Sequence, residues 1–337
     1  MQPSQKVLVL YTGGTIGMQA GAAGLAPAGG FESRLLAAWR SHPGPALPTW
    51  YFRELLPLLD SANMTQANWL AMRDAIVHAV EQEGCDAVLL LHGTDTLAYS
   101  AAALSFLLLG LPVPVVLTGA MLPAGAPGSD AWPNLFGAFG RLAAGLAPGV
   151  YLSFAGRLLH GARATKLNSQ VLDAFAEHGR APSAGAAAVS APALDYRRAR
   201  RPVRIAVQPL FPGLDALQLQ ALLDGGVEAL LLECYGSGTG PSNDAELLRV
   251  LGEARARGVV LAGISQCPQG CIDFGVYAAG SALAASGVVS GAGMGREAAL
   301  GKLFSLLGCG LKNSEVERLF GLDLCGELAA PDQPPRG

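Results

Sequence analysis

One feature limits the fold more than any other: short Val/Leu-rich runs alternate with longer stretches whose apolar residues recur at helical spacing. KVLVLYT (6–12), DAVLLLHG (86–93), VPVVLTG (113–119) and GVYLSFAG (149–156) are runs of strand length. They read as strands buried on both faces, as in a parallel sheet. Between them, TQANWLAMRDAIVHAVEQEG (65–84) and TLAYSAAALSFLLLG (96–110) carry helical periodicity and each stops at a glycine. Strand alternating with helix predicts an α/β domain. After residue 202 the same pattern resumes in VRIAVQPL, GVEALLLECYGSGTG, DAELLRVLGEARARG and VVLAGISQC. A second α/β domain follows. The Ala/Pro/Arg-rich stretch 181–202 is the natural linker. The expected organisation is therefore a larger N-terminal domain with a mainly parallel sheet (1–190) and a smaller C-terminal α/β domain (203–330). The tail AAPDQPPRG reads as disordered.

Composition narrows the function classes. The 337 residues are 51% hydrophobic, enough for two closed cores. With a formal net charge of −3, no basic surface for nucleic acid stands out. The single basic cluster, DYRRARRPVR (195–204), reads as part of the solvated linker. The mean hydropathy of +0.35 raises the question of a membrane. However, Gly110, Pro112 and Pro114 break the uncharged stretch 96–129 into pieces too short to span one. The first residues lack a signal-peptide pattern, which predicts a soluble, cytoplasmic protein. Six scattered cysteines, with only Cys267 and Cys271 close in sequence and no accompanying His cluster, predict reduced, mostly buried thiols and no metal centre.

Three segments carry candidate chemistry. TGGTIG (12–17) follows the first strand. It lacks the lysine of a P-loop, and its adjacent Gly13 and Gly14 break the dinucleotide spacing. What remains is a turn that lets backbone approach a ligand, with the hydroxyls of Thr12 and Thr15 nearby. It is either a nucleophile turn or a strand end tied down by its threonines. HGTDT (92–96) ends a second strand and opens a helix, on the sheet edge where α/β proteins place ligands. Free N–H groups there suit an oxyanion or a carboxylate. Asp95 is a cap or a partner for a substrate ammonium, and Thr96 is the simpler capping residue. Lys166, in HGARATKLNSQ, is an exposed cation or a base lowered by burial beside a threonine. Thr, Lys and Asp together permit a nucleophile–base–orienter relay for acyl transfer.

TGGTIG and HGTDT, with Lys166 in a K-x-N context, resemble the bacterial-type L-asparaginase family. LLDSANMT (58–65), HGTDTLAYSAAALSFLL (92–108), LRVLGEARARGVVLAGISQC (248–267) and YAAGSALAASGVVSGAGMGREAALGKL (277–303) are most similar to its type I, cytoplasmic branch. The resemblance covers almost the whole chain. It implies hydrolysis of L-asparagine to aspartate and ammonia without metal or cofactor. Thr15 would attack the side-chain amide, and Thr94, Lys166 and Asp95 would form a second triad. Ser61 and Asp95 would hold the α-carboxylate and α-amino groups, helped by the Gly93–Thr94 backbone. The Ala120 carbonyl would sit near the leaving nitrogen. A homodimer or tetramer is implied, with the C-terminal domain completing a neighbouring subunit's site.

The chain departs from that pattern twice. Relatives place a tyrosine in the loop after TGGTIG, but AGAAGLAPAGG (20–30) has Leu25 there, and no tyrosine lies between Tyr11 and Tyr51. A leucine cannot relay a proton. Tyr277, reaching in from a partner subunit, is the candidate replacement; the alternative is a core residue. Thr239, in YGSGTGP, stands where many relatives have Asn. Three other readings are a broader glutaminase-asparaginase, an amidase subunit of a tRNA-dependent amidotransferase, and a weakly catalytic asparagine-binding regulator.

Overall fold

The computed structural model describes residues 6–21, 24–41, 48–178 and 191–328. Part of the 181–202 linker and the tail from 329 lie outside these. The chain divides into two compact units: 1–176 with 195–197, and 177–194 with 198–337.

In order, the first unit contains β1 (Lys6–Gly13), β2 (Gln19–Gly21), β3 (Gly24–Ala26), α1 (Phe31–Arg40), β4 (Thr49–Leu59), α2 (Gln66–Glu81), β5 (Ala87–Leu91) and α3 (Leu97–Leu107). It continues with β6 (Pro114–Thr118), α4 (Ala131–Ala143), β7 (Gly149–Phe154), β8 (Arg157–His160), β9 (Ala164–Lys166) and β10 (Phe175–Glu177). Six strands form one sheet in the order β4-β1-β5-β6-β7-β8, parallel except at the β7–β8 edge. The four Val/Leu runs are its centre. They are buried on both faces because helices cover both. Val7, Val9, Tyr11, Leu89, Leu91 and Val116 pack on one side with Phe31, Leu35, Leu135 and Phe139 of α1 and α4. The alternate residues Leu8, Leu10, Leu90 and Leu117 are equally buried and point to the other side. There α3 lies against β6 and β7, and its residues Leu97, Ala98 and Ser100–Leu107 are all buried. That explains an apolar composition on every side of the helix.

The strand order reverses beside β1: the chain passes from β1 to β4 on one side and returns to β5 on the other. Such a switch point opens a crevice at the carboxyl ends of the strands. Register sharpens it. Tyr11 pairs with Leu91, Leu91 with Thr118, and Gly13 with Leu59, so four neighbouring strands end level.

The second unit contains β11 (Ile205–Pro209), α5 (Ala216–Asp224), β12 (Ala229–Cys234), α6 (Ala245–Ala256), β13 (Val260–Ser265), α7 (Ala278–Ala285), β14 (Val289–Ser290), α8 (Arg296–Gly308) and α9 (Asn313–Phe320). Its four strands form a parallel sheet in sequence order. Asp215 and Asp244 cap α5 and α6 by accepting from the Gln218 and Leu247 amides.

The six cysteines form no disulfide, but only Cys85 and Cys234 are buried, and Cys267 is exposed. The expectation of mostly buried thiols is thus corrected. Cys267 lies just beyond the end of β13, on a turn the sheet leaves open. Among the described residues, no helix is long and apolar enough to cross a membrane.

Candidate active site

Four level strand ends deliver the candidate residues. The turn after β1 carries Thr15, a 3₁₀ turn after β4 carries Ser61, the turn after β5 carries Gly93, Thr94 and Asp95, and the turn after β6 carries Ala120. Three glycines allow these turns to approach one another closely, Gly14 and Gly119 against backbone and Gly93 against the Ser61 side chain. A Cβ on Gly14 would lie 2.3 Å from the Gly93 Cα, and one on Gly93 would lie 2.5 Å from the Ser61 Oγ. A Cβ on Gly119 would lie 2.3 Å from the His92 carbonyl oxygen. Gly14 also has a φ of 81°, a conformation that side-chain-bearing residues rarely adopt.

The two threonines of the first turn have different fates. Thr12 is buried and donates its hydroxyl to the Leu91 carbonyl at 2.9 Å, tying β1 to β5. Thr15 opens a three-residue 3₁₀ turn held by Gly17 N–H to Gly14 O and Met18 N–H to Thr15 O, both 3.1 Å. None of the side-chain hydrogen bonds among the described residues that fix this turn uses the Thr15 hydroxyl. It is the group left available for a ligand.

Lys166, at the end of β9, donates from Nζ to the Thr94 Oγ1 at 2.9 Å and to the Asp95 Oδ1 at 2.8 Å. The lysine side chain is only 19% exposed, whereas that of Asp95 is 62% exposed. One Asp95 oxygen therefore orients the ammonium while the carboxylate still faces solvent. Thr94 is buried, and its oxygen is held by Lys166, which leaves its proton free to serve another partner. The triad predicted from sequence is thus brought together within the first unit.

Thr96 occupies the N-cap position of α3 but makes no side-chain cap; its hydroxyl donates to the Ser61 carbonyl at 2.8 Å. The capping reading of Thr96 is corrected: the hydroxyl ties the β5 turn to the β4 turn and so helps place Ser61. The side chain of Ser61 is buried against Gly93. Leu25 lies on the two-stranded β2–β3 hairpin, 55% exposed, with no polar atom to offer Thr15. Tyr277 is not part of this group. It stands at the N-cap of α7 in the second unit, 58% exposed, so the core reading is overturned. Thr239 closes a tight turn, pairing with Tyr235.

Some supporting residues were not foreseen. His92 is fully buried, with Nδ1 2.7 Å from the Gly93 carbonyl and Nε2 2.9 Å from the Ser100 Oγ. A carbonyl only accepts, so Nδ1 carries the proton and Nε2 accepts from Ser100. Ser100 in turn accepts from the Trp69 indole at 3.0 Å. Burial pushes the His92 pKa down to about 4 against the opposing pull of the Gly93 carbonyl, so the ring is neutral at pH 7. Behind Ala120, the Asp130 carboxylate accepts from the Met121 and Leu122 amides at 2.9 and 3.0 Å. Asn134 donates to the Gly119 carbonyl at 3.1 Å and to Asp130 at 2.9 Å. These bonds fix the loop on both sides of Ala120 without using the Ala120 carbonyl. The i, i+4 spacing of Asp130 and Asn134 stands in the sequence, but the helix that gives it meaning was not among those read there.

Fold and site define a two-unit α/β protein whose unbonded Thr15 hydroxyl stands at the switch point of a parallel sheet, on the same strand-end edge as a hydrogen-bonded Thr94–Lys166–Asp95 group. Residues 6–198 match the asparaginase N-terminal domain, and residues 204–320 match the glutaminase/asparaginase C-terminal domain. The chain is 36% identical to L-asparaginase 1 of Escherichia coli K12, covering 97% of this chain and 99% of that one. It is also similar to the solved L-asparaginase I of Vibrio cholerae (34% identity, TM-score 0.84, 97% of this chain and 100% of that one). The thermostable L-asparaginase of Thermococcus kodakarensis gives 31% identity and a TM-score of 0.83 over 97% of this chain and 100% of that one. The chain belongs to the asparaginase family.

Proposed function

We propose that the protein hydrolyses L-asparagine to L-aspartate and ammonia, with Thr15 as nucleophile. The observation that carries this reading is the uncommitted Thr15 hydroxyl, level with a Thr94–Lys166–Asp95 relay. Ser61 and the Gly93–Thr94 backbone take the substrate α-carboxylate, and the Asp95 oxygen not spent on Lys166 takes the α-ammonium. The Ala120 carbonyl accepts from the departing nitrogen. Thr15 Oγ adds to the side-chain amide carbon, and the amide C–N bond breaks as its nitrogen takes up the hydroxyl proton. This leaves an ester on Thr15 and releases ammonia. Water then adds to the ester carbonyl, and the Thr94 hydroxyl, held by Lys166, passes the proton that water gives up to the departing Thr15 oxygen. Thr15 Oγ leaves with a proton, giving aspartate. Each anionic intermediate needs donors already in place, which the strand-end amides supply.

Full-length similarity to the named L-asparaginases supports the substrate. The type I resemblance also supports a cytoplasmic enzyme acting as a homodimer or tetramer, each C-terminal domain completing a neighbour's site. The boundaries 1–190 and 203–330 belong to the same reading. Ammonia release from asparagine decides it. Thr15→Ala is expected to fall by at least about a thousandfold, in line with loss of a covalent nucleophile. Wild-type turnover no faster than that of Thr15→Ala would replace the enzyme with an asparagine-binding protein, a reading that rests on Leu25 standing where relatives carry tyrosine.

A further inference from the structure

The turn that carries Thr15 is anchored before it begins, by the Gly14 amide on the Leu59 carbonyl at 2.9 Å, and at its middle by the fully buried Ile16, but its Gly17 end has no side chain to anchor it. It is three residues long, it follows two glycines at positive φ (109° and 81°), and its N-cap makes no side-chain bond. The strands after it, β2 and β3, are exposed at each of their described residues. Helical turns this short are marginal without outside support.

Two outside groups supply that support. The Ala124 amide donates to the Ile16 carbonyl at 3.1 Å. The Arg34 guanidinium of α1 donates from Nη2 to the Gly17 carbonyl at 2.7 Å. The seat of Arg34 is built in layers. Tyr11 lies under Gly17 so closely that a Cβ there would come within 1.8 Å of its hydroxyl. Phe31 stacks on Tyr11 at 5.1 Å, and the guanidinium lies 5.0 Å from the centre of the Phe31 ring. Phe31 and Arg34 are three residues apart and so share a face of α1. The Arg34 Nε is itself buried. A charged donor on a carbonyl is also among the stronger hydrogen bonds.

We infer that Arg34 is a positioning residue: it clamps the Gly17 end of the 3₁₀ turn and so sets the direction of the Thr15 hydroxyl. The inference rests on Thr15 being the nucleophile. The substrate-holding groups sit on other turns and do not depend on Arg34, so its removal acts on kcat and spares KM.

Arg34→Met keeps much of the stem and removes the donor, whereas Arg34→Lys restores a single donor. A misplacement of about 1 Å costs on the order of a hundredfold in rate, so a partial shift in Arg34→Met is expected to lower kcat by about tenfold or more. KM stays within about twofold under the same logic. Arg34→Lys recovers a measurable part of the loss. Amide hydrogen exchange at Gly17 and Met18, which needs no turnover, speeds up in Arg34→Met while the strand amides of β1 stay protected. Unchanged exchange at those two amides overturns the clamp. A kcat in Arg34→Met equal to wild type, or a loss that merely follows the unfolded fraction and is not relieved by lysine, overturns its role in positioning. If exchange rises but the wild type releases no ammonia, the clamp stands and the Thr15 reading fails.

Discussion

Thr12 and Thr15 differ by one hydrogen bond, which commits the Thr12 hydroxyl and leaves that of Thr15 unbonded. Both flank the same glycines in the sequence, and either hydroxyl fits a reactive turn. Pairing of β1 with β5 brings the Leu91 carbonyl to Thr12 and leaves Thr15 without such an acceptor. His92 presents the same lesson in electrostatics. Its Nδ1–H holds the Gly93 carbonyl, and so the turn that carries Thr94, while its Nε2 accepts from Ser100 only as long as the ring is uncharged. Burial lowers its pKa from 6.5 to about 4. Below pH 6.5 the unfolded chain therefore binds a proton that the folded chain refuses. The stability held above pH 6.5 is lost as pH falls toward 4, by about 3 kcal/mol for a shift of this size. Urea unfolding at several pH values is expected to show that decline in the wild type. A His92→Gln variant, which cannot titrate, is expected to show a shallower one.

At the scale of elements, the sequence was most legible where a segment is buried on all sides and least where it lies at an edge. β1, β5, β6 and β7 read as Val/Leu runs because helices cover both faces of the sheet. β4 did not: as the sheet's edge strand it is largely half-exposed, and its TWYFRELLPLL mixes charge and proline with apolar residues. Helix α4 was not among the helices read from the sequence, and neither was the turning of Asp130 back to the Met121 and Leu122 amides. The C-terminal helices hold a similar hidden bond. Lys302 of α8 is fully buried and donates to Glu327 Oε1 at 2.6 Å and to the carbonyls of Phe320 and Leu322. Glu327 also accepts from the Leu324 and Cys325 amides. Burial alone would raise this carboxyl, but Lys302 and those donors hold it below its usual range. Glu327→Gln leaves a buried ammonium without its counter-charge, which typically costs about 3–5 kcal/mol. Chemical denaturation at pH 7 measures that loss. Because the folded pKa is lowered, the wild-type advantage is present above the ordinary carboxylate range and fades as pH falls through the folded value.

At the scale of the molecule, the chain forms two compact units: the first carries Thr15, Ser61, Gly93, Thr94, Asp95, Ala120 and Lys166, and the second carries Tyr277. An exposed tyrosine at a helix N-cap suits a residue offered to a neighbouring subunit, as the assembly reading requires. Light scattering is expected to give at least twice the 34.5 kDa chain mass. Tyr277→Phe removes only a hydroxyl, so it should lower kcat with that mass unchanged; an unaltered kcat rules out a proton-relay role.

The sequence by itself determined the class of fold, because hydrophobic periodicity follows directly from burial, and the family, because TGGTIG and HGTDT are local and specific. It also showed that no tyrosine lies between Tyr11 and Tyr51. Tertiary structure alone decided which threonine is free, that Lys166 bonds to Thr94 and Asp95, that Thr96 ties Ser61 rather than capping its helix, and that Arg34 reaches Gly17. Each of those depends on a hydrogen bond between segments 17 to 79 residues apart. Such partners are set by strand register and packing, which no local window of sequence contains.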